Sequence, residues 1–539
     1  MSFKKNDFSQ LTLNDSYINA TARVRRMVEN SWAKDFADKV FPNINEDRFS
    51  VLYSGKSTGR PNTPVNLIIG ALMLKEQMGL SDEELLMSIC CDIRYQYALH
   101  TTHYIEQPFS DRTFSRFRER VYQYELETGK DLLSEEMKSL ASKYAEYMNL
   151  TSNIKRMDSM MVASNIKRMS RLEIIYVTVS NALKLMVRDG HESDIPEELK
   201  HYLGDDDRND VIYHCKGDDA DTRLEKVINE AAKVKELMSD EKWTETSEYQ
   251  LLVRVLSEQA EEKPDGSTGP KPKHDITSDS LQNPSDPDAT YREKAGKKHK
   301  GYVGNFIETV GDDGTSLITD ASYDKNTHSD SDFCKEYLNS RSNDDAQETM
   351  IADGAYGGQD NMELARSKNV ELIPTALTGA DPDPVFADFK LSDDGTKILE
   401  CPMGHKPVKS SFYAKTQMCR AKFPLECCAG CPYRDRCKAK QQRNSYAVHV
   451  SAKTVARAEY RKKLSTEEYK ALTRKRNAIE GIPSVFRRKF NVDRIPVRGL
   501  IRTKQFFMLK VCAYNNGKLF RYLRRLRENF VQNAVPAAI

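Results

Sequence analysis

Between residues 60 and 125 the apolar positions fall into helical periods with clear stops. The stretch "RPNTPVNLIIGALMLKEQMG" begins after a proline and ends at a glycine, and "LSDEELLMSICCD" opens with Ser81 and Glu84 at capping-box spacing. A third helix is predicted over "SDRTFSRFRERVYQY". On it Phe114, Phe117 and Val121 mark a buried side, while Arg112, Arg116 and Arg120, four residues apart, line the opposite one. Such a basic face suits DNA, and it equally suits plain solvation.

Further along, the period shortens. "NIKRMDSMMVASN" (153–165) has the length and apolar content of a strand running into the helical "RMSRLEIIYVTVSNALKLMV", and an acidic, mostly helical stretch continues to about residue 260. The next forty residues, "EEKPDGSTGPKPKHDITSDSLQNPSDPDATYREKAGKKHK", are rich in Pro, Gly, Ser and Asp, which predicts a long loop or linker with basic residues at its end. Strands resume in "GYVGNFIETV", "SLITDASY", "TMIAD" and "VELIPTAL", separated by the helix candidates "SDSDFCKEYLNSR" and "GGQDNMELARSKN". Alternation of this kind predicts an α/β sheet built from the strand at 154–163 and the later strands, with the helical block as an insertion.

Length and charge refine this picture. At 539 residues, about two to four modules with a sizeable core are expected. No run of about 18 apolar residues and no charged-then-apolar leader is present, so neither a membrane nor secretion is indicated. The net charge is only +2, but it is unevenly spread: from Lys453 to Glu528 there are 22 Lys or Arg against six Asp or Glu. That surplus points to a polyanion partner for the C-terminal part, with solvated basic helices as the plain alternative.

Of eleven cysteines, six fall between Cys401 and Cys437, and the others are Cys90, Cys91, Cys215, Cys334 and Cys512. Without a secretion signal, clustering favours metal over disulfides. "CPMGH" and "CCAGCPYRDRC" place Cys401, Cys428, Cys431 and Cys437 in two knuckle-like turns whose thiolates can close a tetrahedral Zn²⁺ shell. His405, Cys419 and Cys427 compete for a place in that set, and free thiols are the plain alternative. A closed four-ligand shell implies support rather than catalysis.

Three acids stand where the predicted elements bring them to the edge of one cavity: Asp158 in a strand, Asp353 at a strand end in "MIADGAYGG", and Glu480 inside the helix "STEEYKALTRKRNAIEG". Carboxylates of this kind can hold two Mg²⁺ or Mn²⁺ ions that stabilise the entering and leaving oxygens of a phosphoryl transfer. Spacing alone does not select three from 80 acids. On a straight helix Thr473, Arg476 and Arg487 fall at roughly +20°, −40° and −20° from Glu480, which suits a phosphate substrate. Pro483 is expected to kink that helix just past Gly481. Tyr356, beside Asp353, fits either packing beneath the site or contact with DNA.

Together these segments resemble the DDE transposases of bacterial insertion sequences, in the IS-four-like superfamily and its branch with a cysteine-rich insert. The resemblance rests on "RMDSMMVASNIKRMSRLE", "SLQNPSDPDATYREKAGKKHKGYVGNF", "MIADGAYGGQDNMELA", the cysteine cluster and "RKRNAIEGIPSVFRRKF", and with the N-terminal helices it covers most of residues 20–525. It implies an RNase H-like α/β catalytic domain, a mixed sheet flanked by helices, in which Asp158, Asp353 and Glu480 bind the metals. The implied organisation is an all-helical DNA-binding and dimerisation domain at 1–150, a first catalytic strand at 151–165 and a helical insertion with linker at 166–285. The core then continues at 286–395, a zinc-binding insert occupies 396–445, and basic helices carrying the glutamate span 446–530. In the family's helix signature Arg476, Glu480 and Arg487 fit, but Thr473 stands where a tyrosine is expected, which puts tyrosine-dependent handling of a terminal base in doubt. The resemblance further implies cleavage at element ends and strand transfer by a homodimer on double-stranded DNA, in the bacterial cytoplasm. Arg476, Arg487, Arg488, Lys489, Lys297 and Lys298 would neutralise phosphates, and Arg112, Arg116 and Arg120 would reach the terminal repeats.

Overall fold

The computed structural model describes residues 1–6, 14–55, 59–213, 219–262, 268–294, 296–376 and 382–534. Its fold is mixed α/β and divides into two compact units, each discontinuous in sequence. Unit 1 comprises Met1–Ser152, Ser159–Ser329 and Pro483–Ile539, and unit 2 comprises Asn153–Asp158 and Asp330–Ile482. This division cuts across the linear segments expected from the sequence. Among the described residues no helix is long and apolar enough to cross a membrane.

In unit 1, α1 (Val65–Met78) is buried along almost its whole length and ends where Gly79 takes a left-handed conformation, φ 72°. The capping box of α2 (Asp82–Cys91) is present: the Ser81 hydroxyl accepts from the Glu84 N–H, and the Glu84 carboxylate accepts from the Ser81 N–H. Helix α3 (Thr113–Thr128) buries Phe114, Phe117 and Val121 as the pattern required. It starts one residue after Arg112, which is the N-cap and stands outside the helix predicted to include it.

Strand β1 (Ile154–Ala163) crosses the division between the units, its residues up to Asp158 belonging to unit 2. The inserted block holds α4 (Arg171–Arg188) and the helices Asp219–Leu237 and Ser247–Gln259. These close a core of their own around Val179, Leu183, Ile228, Ala231, Leu252 and Val255. Strands β2 (Thr290–Lys294), β3 (Lys297–Val310) and β4 (Ser316–Lys325) form an antiparallel meander. The basic end expected to be loop is therefore a hairpin: Lys298 pairs across with Glu293, and Lys297 with Lys294. Charged residues at such a tip tolerate a strand because both faces there are exposed.

Unit 2 is built on parallel strands. Strand β5 (Glu348–Ala352) lies between the first part of β1 and β6 (Val370–Pro374), joined by α5 (Asp330–Ser340) before it and α6 (Gln359–Ser367) after it. A buried polar network ties the pair together. Glu348, 4% exposed, accepts from Lys155 of β1 at 2.8 Å and from Arg341 at 2.7 Å, with the Tyr337 hydroxyl also donating to it. Removing Glu348 would leave Lys155 and Arg341 without their shared carboxylate, at a cost of about 3–5 kcal/mol.

The cysteine-rich segment folds as a small antiparallel sheet of β7 (Lys409–Tyr413), β8 (Met418–Phe423), β9 (Lys440–Gln441) and β10 (Tyr446–Val450), in the order β7-β8-β10-β9. Phe386, Phe389, Ile398, Phe423, Val448 and Val450 give it its own core. After α7 (Ala452–Leu464) and α8 (Glu467–Arg476), the chain tightens to a 3₁₀ turn, Asn477–Glu480, and resumes as α9 (Gly481–Arg488). Glu480 thus closes a 3₁₀ turn rather than sitting inside an α-helix. The break also comes before Gly481, not after it. Pro483 explains both corrections: it has no N–H to offer Ile479, four residues back, and its ring crowds that carbonyl, so the strain falls on the preceding turn.

Candidate active site

The register of β1 and β5 sets the two aspartates. Arg156 pairs with Ile351 in parallel alignment, so two residues on, Asp158 stands level with Asp353, just past the end of β5. Side chains alternate along a strand, which places Asp158 on the same face as Arg156 and away from Lys155 and its glutamate network. Beyond Asp353 the backbone turns at once. The Asp353 carboxylate caps the 3₁₀ turn Gly354–Tyr356 by accepting from the Gly354 N–H at 2.6 Å.

The glycines of this turn are required by crowding rather than by unusual dihedrals, since Gly357 has φ −89°. A Cβ on Gly354 would lie 2.6 Å from the Ala376 carbonyl oxygen, and one on Gly357 would lie 2.5 Å from Pro374 Cβ. Tyr356 is fully buried, with its carbonyl accepting from the Asn361 amide. Packing beneath the site, not contact with DNA, is therefore its place.

All three predicted acids meet at one side chain. Arg476 Nη2 lies 3.7 Å from Asp158 Oδ1 and 3.8 Å from Asp353 Oδ2, and Arg476 Nη1 lies 3.4 Å from Glu480 Oε1. The guanidinium is 12% exposed, whereas Asp353 is 54% and Glu480 66% exposed, so the cluster is open on the side of those two acids. Arg156 holds the end of α8 in place: only 5% exposed, it donates from Nη1 to the Lys475 carbonyl at 2.5 Å. That residue was missed in the sequence, where its spacing of two from Asp158 was the available signal. Thr473, at the position of the expected tyrosine, turns its hydroxyl to the Lys470 carbonyl.

The second cluster is soft. Cys401, Cys428, Cys431 and Cys437 line one cavity of about 20 Å³, together with Cys427. Two tight turns aim them: the Gly404 N–H donates to the Cys401 carbonyl, and the Cys431 N–H to the Cys428 carbonyl. Burial, then the neighbouring thiols, push Cys428 up to about 11 and Cys437 up to about 12. Of the competing ligands, Cys419 is buried in β8 with Sγ 3.2 Å from the Gly395 carbonyl, and His405 is exposed; neither lines the cavity. Cys215 lies outside the described residues.

Among the described residues, no group of three or more His, Cys, Asp or Glu side chains is arranged to hold a metal ion as it stands. Coordination by either cluster thus requires side-chain rotation. The donor chemistry fits in both cases: hard oxygens already face a cation in the first, and soft sulfurs crowd one another in the second.

The other predicted contacts are dispersed in unit 1. Arg116 and Arg120 line a cavity of about 740 Å³ with Lys4, Arg60, Tyr53 and Tyr104, and Arg120 stacks over Tyr53 at 4.6 Å. Arg112 is exposed but does not line it. Arg487 pairs with Asp493 at 3.2 Å and donates to the Met161 carbonyl, while Lys489 lies 5.2 Å over Phe490 and Arg488 is exposed. Lys297 and Lys298 are exposed at the hairpin tip.

A family profile described as a transposase DDE domain matches residues 400–520, and one described as a transposase domain (DUF772) matches residues 26–120. These matches support a transposase. The DDE-domain match spans Arg476, Glu480 and the cysteine cluster but neither Asp158 nor Asp353; the other spans Arg112, Arg116 and Arg120. A transposase acts on DNA, which agrees with the basic surplus of the C-terminal part. No curated protein and no solved structure matches.

Proposed function

We propose that the chain is a DDE-type DNA transposase of the IS-four-like superfamily, in its branch with a cysteine-rich insert, and that unit 2 carries its RNase H-like catalytic centre. The observation that carries this reading is the convergence of Asp158, Asp353 and Glu480 on one guanidinium from three separate elements. In the reaction we assign, water cuts the element's end to release a 3′-hydroxyl, which then attacks target DNA. Two Mg²⁺ or Mn²⁺ ions held by the three carboxylates would stabilise the entering and leaving oxygens. The chain's own share is positioning and charge: the parallel register holds the aspartates level, Arg156 fixes the turn that carries Glu480, and Arg476 supplies a phosphate-matched fork at the centre.

DNA is held elsewhere by charge. Arg116 and Arg120, with the aromatic-lined cavity they help to form, serve the element ends together with Arg112, and Lys297, Lys298, Arg487, Arg488 and Lys489 serve the backbone, so binding weakens steeply with salt. Both ends are held by a homodimer on DNA. The Cys401, Cys428, Cys431 and Cys437 thiolates hold a structural Zn²⁺ that braces the small sheet.

Asp353→Asn tests the assignment. It keeps duplex binding and lowers Mg²⁺-dependent cleavage by about 10³-fold or more, because metal stabilisation of developing charge supplies several kcal/mol. Loss of binding with unchanged cleavage per bound complex would overturn it. A non-catalytic DNA-binding relative would show binding but no cleavage with any metal in the unsubstituted protein.

A further inference from the structure

We infer that Arg476 is a built-in counter-cation that fills the acid cluster when no divalent metal is there and leaves it when metal enters, so that metal loading hands the arginine to a DNA phosphate. The inference rests on the assignment of Asp158, Asp353 and Glu480 as the metal-binding acids.

Three features carry it. First, the guanidinium occupies the point where the three carboxylates meet, with contacts of 3.4–3.8 Å. A guanidinium does not deprotonate in a protein, so a divalent ion and Arg476 cannot share that point without strong repulsion. Second, the arginine is held loosely. Charge-assisted pairs close to about 2.7–2.9 Å when well formed, and none of these three does. Its Nε is buried with no hydrogen-bond partner, a deficit it loses by moving. Third, the exit is open on the side of Asp353 and Glu480, where an arriving phosphate offers the planar fork a bidentate partner. Metal and DNA binding are then linked, each favouring the other by the same factor.

Calorimetric titration with Mn²⁺ in the absence of DNA tests this. Arg476→Gln binds Mn²⁺ on the order of tenfold tighter than the unsubstituted protein, as expected when three weak pairs no longer compete, and Asp353→Asn removes the site in either background. Unchanged or weaker binding by Arg476→Gln, with Asp353→Asn still abolishing it, overturns the exchange and leaves the acid assignment standing. Full Mn²⁺ binding by the Asp353→Asn, Arg476→Gln double variant overturns the acid assignment itself. A second measurement needs no substitution: modification of Arg476 by phenylglyoxal, followed by mass spectrometry, speeds up several-fold on adding Mn²⁺, and a rate that is unchanged or slower contradicts the exchange.

Discussion

Unit 2 contains two clusters of potential metal donors, and they limit the charge they gather in different ways. The acid cluster carries its own cation: Arg476 stands among Asp158, Asp353 and Glu480, and two of those acids are more than half exposed. The thiol cluster lines a cavity of about 20 Å³, where burial first and the neighbouring thiols second raise Cys428 and Cys437 instead. An internal cation that can swing out suits a site that must admit metal, DNA and water in turn. A closed set of thiols suits an ion that enters once and stays. We therefore assign turnover to the first cluster and support to the second.

One substitution in each cluster separates the two roles. Glu480→Gln lowers Mg²⁺-dependent DNA cleavage by about 10³-fold while leaving the unfolding temperature within a few degrees, because an exposed acid contributes little to folding. Cys428→Ser does the reverse to the fold: bound zinc, by elemental analysis, falls from about one per chain to nearly none, and amide exchange protection in β7–β10 collapses, since structural zinc supplies folding free energy directly. A cleavage defect without zinc loss in the cysteine variant would erase the distinction.

A smaller effect is expected from pH. The folded values of Cys428 and Cys437 are raised to about 11 and about 12 by burial first and by neighbouring thiols second, from an ordinary value of 9.0. Raised folded values make the metal-free segment most stable below pH 9 and cost it that contribution as pH climbs through 11–12. Zinc must displace these protons, so its apparent affinity rises about 10²-fold or more between pH 6 and pH 8. A flat profile in a competition titration would mean that the thiols are not the ligands.

Smallest is the loss of the tether. Arg156→Met removes a hydrogen bond from a charged donor to the Lys475 carbonyl, a contribution of about 1.5–3 kcal/mol. Turnover should fall by about tenfold to a hundredfold as the Glu480 turn loosens, with zinc content unchanged. Equal damage to the zinc site would show that the two clusters are not independent.

Several of these parts were legible in the residues. The strand at 154–163 matches β1, whose length and apolar content suit a strand, and the Ser81–Glu84 box was readable because capping is local. The acids emerged together through a resemblance, since their union depends on strand register and on a turn more than a hundred residues further on. What stayed hidden was non-local or transmitted. Pro483 reshapes the turn before it, moving Glu480 out of the α-helix. Arg156 gains a role only once the carbonyl of Lys475 is placed beside it. The spacing of Arg476 from Glu480 suggested a phosphate ligand, but its place at the centre of the acids follows only from three elements meeting.

On the proposed function, Asp158, Asp353 and Glu480 form one metal-dependent site. Crystals soaked in Mn²⁺ and measured for anomalous scattering test it directly. Density is expected between these three carboxylates, at oxygen distances of about 2.0–2.2 Å, with the Arg476 guanidinium displaced from its present position. Strong Mn²⁺ density elsewhere in the chain, with Arg476 still seated among the three acids, would contradict it.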